Sequence, residues 1–342
     1  MTVALDATYS LGDDLSGVGI YSRELLWGLA QAHPGMHFDF CYRPHRYLRS
    51  WSEALPRNAR RRILAPPFGP GGADLFHGLN QRLPEGRLPR AVATFHDLFV
   101  LTGEYSTPEF RARFAAQARD AAARASCLIA VSEFTRSQVI GLLGVEPARV
   151  RVVRHGIRRL APRPVAREKV ILHVGAIQKR KNLERLVDAF ESVDPAWKLV
   201  LAGSSGFGAD RILTRIQQSS ARPRIQVTGY VSPEELAGWY SRASLFAFPS
   251  LDEGFGMPVL EAMAAGIPVI TSNRSALREV AGEAALLVDP EHTEALAEAV
   301  RDLTQSETRR QELTQRGLAH AQQFTWEKAV RETWDVYQEL LG

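Results

Sequence analysis

The chain has 342 residues, 45% of them hydrophobic and 23% charged. That composition is ordinary for a folded globular protein, excludes disorder as the default, and at roughly 100–200 residues per domain predicts two domains. Forty-two Lys and Arg against 38 Asp and Glu leave a net charge of +4, a surplus too small to argue for nucleic-acid binding by itself. No apolar run approaches the roughly 18 residues of a membrane span. Met1 leads straight into a strand pattern with no charged leader region, so a cytoplasmic protein without a signal peptide is expected. Cys41 and Cys127 sit in separate apolar runs and read as buried free thiols in a reducing compartment.

In chain order, short apolar runs alternate with helical periodicity. Strands are predicted over 3–9, 37–42, 62–65, 74–78, 91–96, 127–131 and 150–154, and helices over 18–31, 108–124 and 133–143. Segment 156–168 contains Pro162 and Pro164 and no periodicity, which marks an interdomain linker. Strands recur over 170–174, 198–202, 225–228, 245–248, 268–271 and 285–288, with helices between them. Several are apolar throughout, as parallel strands covered on both faces are, so the expected fold class is α/β with two doubly wound sheets. Thr325 is a candidate cap for a last helix, 326–341. Trp326, Val330, Trp334, Tyr337 and Leu341 share one apolar face of it, widened by Val336 and Leu340, while Asp335 points to water.

Between Tyr42 and Ile63 the chain carries seven arginines (43, 46, 49, 57, 60, 61 and 62) against Glu53 alone, interleaved with Tyr47, Leu48 and Trp51. Three readings stand side by side: a solvated face, a surface for an anionic membrane or phosphorylated acceptor, and a nucleic-acid site.

Four short motifs carry chemistry. In Phe248-Pro-Ser-Leu-Asp-Glu-Gly-Phe-Gly-Met-Pro-Val-Leu-Glu261 a strand ends, a glycine-containing loop follows, and a helix opens with Pro258 in its first turn. Glu253 and Glu261 suit hydroxyl-rich groups, since carboxylates accept the hydrogen bonds that hydroxyls donate. The alternative is two acids solvated or capping a helix. Gly175 opens a second strand-to-helix loop, where Lys179, Arg180 and Lys181 are consecutive and Asn182 is a candidate cap. Three cations at a helix N-terminus oppose its dipole unless an anion joins them, which suggests a diphosphate. Ser16-Gly17-Val18-Gly19 follows the first strand but lacks the GxGxxG dinucleotide spacing. His96-Asp97 ends a strand with no second His or Cys at metal-ligand spacing, and a structural role competes with a catalytic one.

In this order the motifs resemble the retaining glycosyltransferases of family 4, in the style of bacterial mannosyltransferases of polysaccharide or O-antigen assembly. The Glu253-x7-Glu261 motif is the most specific match, supported by Gly175 with Arg180-Lys181-Asn182, Ser16-Gly-Val-Gly, Phe95-His96-Asp97, Val131-Ser-Glu-Phe-Thr135 and Thr228-Gly-Tyr-Val231. Many members separate the Arg and Lys by several residues; here they adjoin, as in one subgroup.

The resemblance implies a GT-B fold, two Rossmann-like domains facing across a cleft. Residues 1–160 would be the acceptor-side domain, 168–324 the nucleotide-sugar domain, and 325–342 a helix crossing back to the first. It implies that Arg180 and Lys181 bind the donor diphosphate, Glu261 the ribose, and Glu253 the sugar, with Gly254, Phe255 and Gly256 close by. Gly17 and Gly19 would flank the diphosphate, His96 the transferred sugar, and Tyr230–Val231 the base. It also implies retention at the anomeric carbon. The chain has no Asp-x-Asp motif, so no metal is expected, and no cofactor beyond the donor. GDP-mannose is the expected donor, a UDP-sugar the alternative. The expected acceptor is a glycan or lipid-linked glycan, with a peripheral place on the inner membrane face and no nucleic-acid partner. Two other functions compete: a nucleotide-sugar epimerase of the same architecture, and a non-enzymatic basic module for membrane or nucleic acid.

Overall fold

A computed structural model describes residues 1–65, 69–88, 90–158 and 165–342. Residues 159–164 of the expected linker lie outside the described residues. The chain divides into two compact units. The first holds Met1–Thr102, Thr107–Gly156 and Phe324–Gly342; the second holds Gly103–Ser106 and Ile157–Gln323.

The first unit is built on seven strands: β1 (Thr2–Asp6), β2 (His37–Tyr42), β3 (Ala59–Ile63), β4 (Leu75–Gly78), β5 (Ala91–Phe95), β6 (Cys127–Ala130) and β7 (Val150–Val152). They form one parallel sheet in the order β3-β2-β1-β4-β5-β6-β7. The inner strands β4, β5 and β6 are buried at every residue, because helices cover both faces of a parallel sheet. Cys41 and Cys127 are buried free thiols.

Most strand limits shift by one or two residues from the expectation, and β1 and β3 shift by more. β1 stops at Asp6, not at residue 9, because the Asp6 carboxylate accepts hydrogen bonds from the Thr8 N–H and hydroxyl and turns the chain. β3 runs over Ala59–Ile63, not 62–65. It is an edge strand written in arginine: Arg60 lies opposite Asp39 in register, and Arg60 and Arg62 both pair with that carboxylate, which is 1% exposed. Arg61 donates to the carbonyls of Ser50 and Glu53. Arg60, Arg61 and Arg62 are therefore tied to groups of the same unit, although Arg60 stays exposed along with Arg49, Arg57, Leu48 and Trp51.

The helix Trp326–Leu341 belongs to the first unit. The Thr325 hydroxyl caps it by accepting from the Lys328 N–H. It lies so close to the helix Gly17–Ala32 that a Cβ on Gly28 would come 2.5 Å from Val330. Trp334 stacks on His33 with ring centroids 3.7 Å apart.

The second unit repeats the design with β8 (Glu168–Val174), β9 (Lys198–Ala202), β10 (Ile225–Gly229), β11 (Ala243–Phe248), β12 (Val269–Ser272) and β13 (Leu286–Val288). Their order is β10-β9-β8-β11-β12-β13, again all parallel. The winding direction reverses between β8 and β11. Doubly wound sheets bind ligands in the crevice outside the carboxyl ends of such a strand pair.

Candidate active site

The loops at the β8/β11 reversal are the two that carry the charged motifs. After β8, Lys179–Lys181 form a single 3-10 turn before the helix Leu183–Glu191. Asn182 stands at the cap position in the left-handed region, φ 59°, but its side chain does not cap that helix. Its amide donates instead to the carbonyls of Pro249 and Pro290, which corrects the expected capping role: Asn182 ties the β8 loop to the β11 loop. The Arg180 carbonyl adds to this by accepting from the Leu251 N–H.

The tie brings the ions together. Glu253 lies between both cations, Oε2 at 2.6 Å from Arg180 Nη1 and Oε1 at 2.6 Å from Lys181 Nζ. Arg180 also donates to the Asp252 carbonyl at 2.5 Å, and Lys181 Nζ sits 4.5 Å from the centre of the Phe248 ring. All three ions are less than a tenth exposed; Lys179 is exposed. Burial by itself would raise the Glu253 carboxyl, but the Arg180 and Lys181 charges prevail and hold it at about 2. The protein itself thus supplies an anion beside these cations, the Glu253 carboxylate.

The Glu253 main chain is fixed by the helix Ser275–Ala281: its N–H donates to the Ser275 hydroxyl, and its carbonyl accepts from the Ala276 N–H. Ser275 is a non-glycine residue at φ 51°. Sequence reading missed it, since nothing in Asn-Arg-Ser-Ala announces a left-handed turn. Gly254, Phe255 and Gly256 are buried. Gly256 caps the helix Met257–Ala264 at φ 109°, and a Cβ there would come 2.6 Å from Leu277.

Glu261 lies inside that helix, 3% exposed. Its Oε1 accepts from Arg158 Nε at 2.9 Å and its Oε2 from the Tyr240 hydroxyl at 3.1 Å. Neither partner was singled out in the sequence: Arg158 falls in a stretch that reads as linker and Tyr240 in the pattern of an amphipathic helix. His173 was missed too. It stacks on Phe248 with centroids 5.3 Å apart and turns Nδ1 to the Ala247 carbonyl. Its Nε2 and Lys181 Nζ lie 3.5 and 3.6 Å from where a Cβ on Gly175 would sit. Burial, then the Lys181 charge, push His173 down to about 3, so it stays neutral. Tyr230, half exposed, and Val231 line a groove of about 740 Å³ with Thr228, Trp239 and Arg242.

The remaining candidates lie in the first unit. Gly17 is exposed at the start of its helix. The Gly19 N–H is taken by the Ser16 hydroxyl, and a Cβ on Gly19 would come 2.9 Å from the Tyr9 carbonyl, so close packing alone requires glycine there. His96 stands at the carboxyl end of β5 with both ring nitrogens engaged. Nε2 faces the Leu79 carbonyl at 2.9 Å, and Nδ1 faces His155 Nε2 at 3.3 Å. Tyr21 sets its ring edge against both imidazoles. Its hydroxyl bonds Thr94, Thr94 bonds His77, and His77 bonds Tyr337 of the last helix at 2.6 Å. Burial pushes His77 down to about 3, His96 to about 4, and His155 well below its usual value.

Among the described residues no three His, Cys, Asp or Glu side chains are grouped to hold a metal, and no helix is long and apolar enough to cross a membrane.

Two doubly wound parallel sheets, with buried ions at the reversal of the second, define a Rossmann-like α/β protein. The family described as glycosyl transferases group 1 matches residues 160–320, and glycosyltransferase family 4 matches residues 16–159. The chain is 32% identical to O-antigen chain mannosyltransferase B of Escherichia coli over 78% of this chain and 74% of that one. Its fold is similar to sucrose-phosphate synthase of Thermosynechococcus elongatus, with TM-score 0.79 at 24% identity over 99% of both chains. It is also similar to HepE of Anabaena in complex with UDP, with TM-score 0.73 at 17% identity over 99% of both. The chain belongs to the family 4 glycosyltransferases and has the Rossmann-like domains of the GT-B fold.

Proposed function

We propose that the chain is a retaining, metal-independent hexosyltransferase. In this reading it moves mannose from GDP-mannose to a glycan or lipid-linked acceptor during cell-surface polysaccharide assembly. The observation that carries the reading is the buried triad Arg180, Lys181 and Glu253 at the strand-order reversal. A bound diphosphate takes over the two cations from Glu253. As the sugar–phosphate bond breaks, Arg180 and Lys181 meet the charge that develops on the leaving diphosphate, in surroundings that exclude water. They supply the neutralisation a divalent ion would otherwise give. Glu253, released, accepts hydrogen bonds from sugar hydroxyls, and Glu261 accepts them from the ribose.

The mannose assignment is supported by the 32% identical relative, an O-antigen chain mannosyltransferase. The complex of HepE with UDP keeps a UDP-sugar as the competing donor. The protein works in the cytoplasm at the inner membrane face, and the exposed Leu48, Arg49, Trp51 and Arg57 suit an anionic lipid surface.

A thermal-shift series with GDP, UDP, ADP and TDP and their sugars tests the donor. The expected result is the largest upward shift with GDP and GDP-mannose. Equal or absent shifts with all of them would overturn the donor assignment. Conversion of a donor sugar without any acceptor would favour an epimerase.

A further inference from the structure

We infer that Arg158 and Tyr240 are positioning residues that make Glu261 a receptor for a vicinal diol, and so set the preference for a ribose over a deoxyribose nucleotide. This rests on the donor reading above, which gives Glu261 the ribose.

A carboxylate offers about four lone-pair sites, two on each oxygen. In this structure one oxygen accepts from Arg158 Nε at 2.9 Å and the other from the Tyr240 hydroxyl at 3.1 Å. Each oxygen therefore retains one site. The two sites lie on the two ends of a single rigid group, which matches two adjacent hydroxyls and is wasted on one. The protein donors come from different parts of the chain. Arg158 lies 103 residues before Glu261, and Tyr240 lies on the helix Pro233–Arg242, 21 residues before it. Gripped on both oxygens, the carboxylate cannot rotate about its terminal torsion, which is otherwise broad.

Charge and protonation agree with this division of labour. Glu261 is 3% exposed while the Arg158 side chain is 27% exposed. The arginine thus brings a positive charge to a buried acid from the solvent side, and a buried acid needs such a partner. Burial, then the neighbouring Glu261 charge, push the Tyr240 phenol far up, so its hydroxyl is always a donor. A mere structural ion pair would need neither the second donor nor two sites left open.

The test is a calorimetric comparison of GDP with 2′-deoxy-GDP and 3′-deoxy-GDP, with UDP and 2′-deoxy-UDP run in parallel. It uses the wild-type chain and the Glu261→Gln, Arg158→Gln, Arg158→Lys and Tyr240→Phe variants. Wild type should prefer the ribonucleotide by about tenfold, the scale of a hydrogen bond to a charged group. Arg158→Gln and Tyr240→Phe should each lose affinity for the ribonucleotide while binding the deoxy forms within about threefold of wild type. Arg158→Lys should recover part of the preference. A role confined to folding would weaken all nucleotides alike, and that result overturns the inference. Tyr240→Phe keeps the ring and its packing, so it remains informative if Arg158→Gln does not fold. If Glu261→Gln keeps the wild-type preference, or if neither ribonucleotide binds wild type, the ribose assignment itself falls. If Glu261→Gln loses the preference and both Arg158→Gln and Tyr240→Phe keep it, only this inference falls.

Discussion

At the carboxyl edge of the first sheet, Tyr337, His77, Thr94, Tyr21, His96 and His155 are buried as neutral groups that bond or pack against one another. At the carboxyl edge of the second, Arg180, Lys181 and Glu253 are buried as ions. The two solutions differ in cost. A neutral network needs only its hydrogen bonds satisfied. A buried ion cluster pays desolvation on each member, and well-packed apolar residues in its place are often as stable or more so. An arrangement so expensive, at the point of a doubly wound sheet where ligands bind, is better explained by an anionic ligand than by stability.

The contrast can be broken first at Glu253. Glu253→Gln leaves two buried cations without their anion, and the expected loss is about 3–5 kcal/mol of stability. Inorganic pyrophosphate should then raise the melting temperature of the variant more than that of wild type, because it fills the vacated place. Urea denaturation measures the loss of stability, and thermal denaturation with and without pyrophosphate measures the shift in melting temperature. Equal shifts would mean that the cations hold no phosphate.

Lys181→Met keeps the side-chain length and removes the charge. Turnover of the donor should fall by about 10²–10³, the scale for loss of one electrostatic stabiliser of a leaving group. Lys181→Ala should cut turnover as sharply and, because Lys181 is buried against Glu253 and Phe248, cost stability as well. Wild-type kcat in either variant would remove Lys181 from the chemistry.

Acid separates the two edges. Histidine pKa values in the folded chain lie below their unfolded value of 6.5, at about 4 for His96 and about 3 for His77 and His173. The unfolded chain therefore binds more protons below pH 6.5. Stability is fully present above that pH and is lost as pH falls, by up to about 1.4 kcal/mol per pH unit for each buried histidine. Three of the four, His77, His96 and His155, belong to the first unit. Glu253 loses its contribution in the same direction but at lower pH: its folded value of about 2 against 4.5 unfolded keeps that contribution intact until pH falls below 4.5. Denaturation midpoints at pH 7.5 and 5.5 should differ strongly in wild type and less in His77→Gln. A flat profile over that range would contradict the neutral assignment.

The smallest effect concerns the helix that completes the first unit. Thr325→Ala removes its cap and should cost about 1 kcal/mol, read as a shift in the urea midpoint with the cooperativity slope unchanged.

Much of this was legible in the sequence because the signals were local. The strands 37–42 and 198–202 and the helices 108–124, 133–143 and 326–341 have the predicted limits, since each is an apolar run or a capped periodic segment. The arginine-written edge strand Ala59–Ile63 was displaced because its pairing depends on Asp39, 20 residues or more away in the chain. The motifs at 180–181, 253 and 261 announced themselves by spacing and charge. Their partners did not. Arg158 looks like linker, Tyr240 like one more apolar-face residue, and Asn182 like a cap. Only contacts between segments distant in the chain give them these partners. The same limit hid the answer to the cation problem: three consecutive positive residues call for an anion, and the chain supplies one 72 residues later.

Calorimetric titration of GDP into wild type and into the double variant Arg180→Gln/Lys181→Met tests directly whether Arg180 and Lys181 hold the diphosphate. Saturable binding to wild type is expected, with at least a tenfold loss in the double variant, which remains folded by circular dichroism. Equal affinity in the two proteins would show that these cations are not where the diphosphate of a nucleotide-sugar binds.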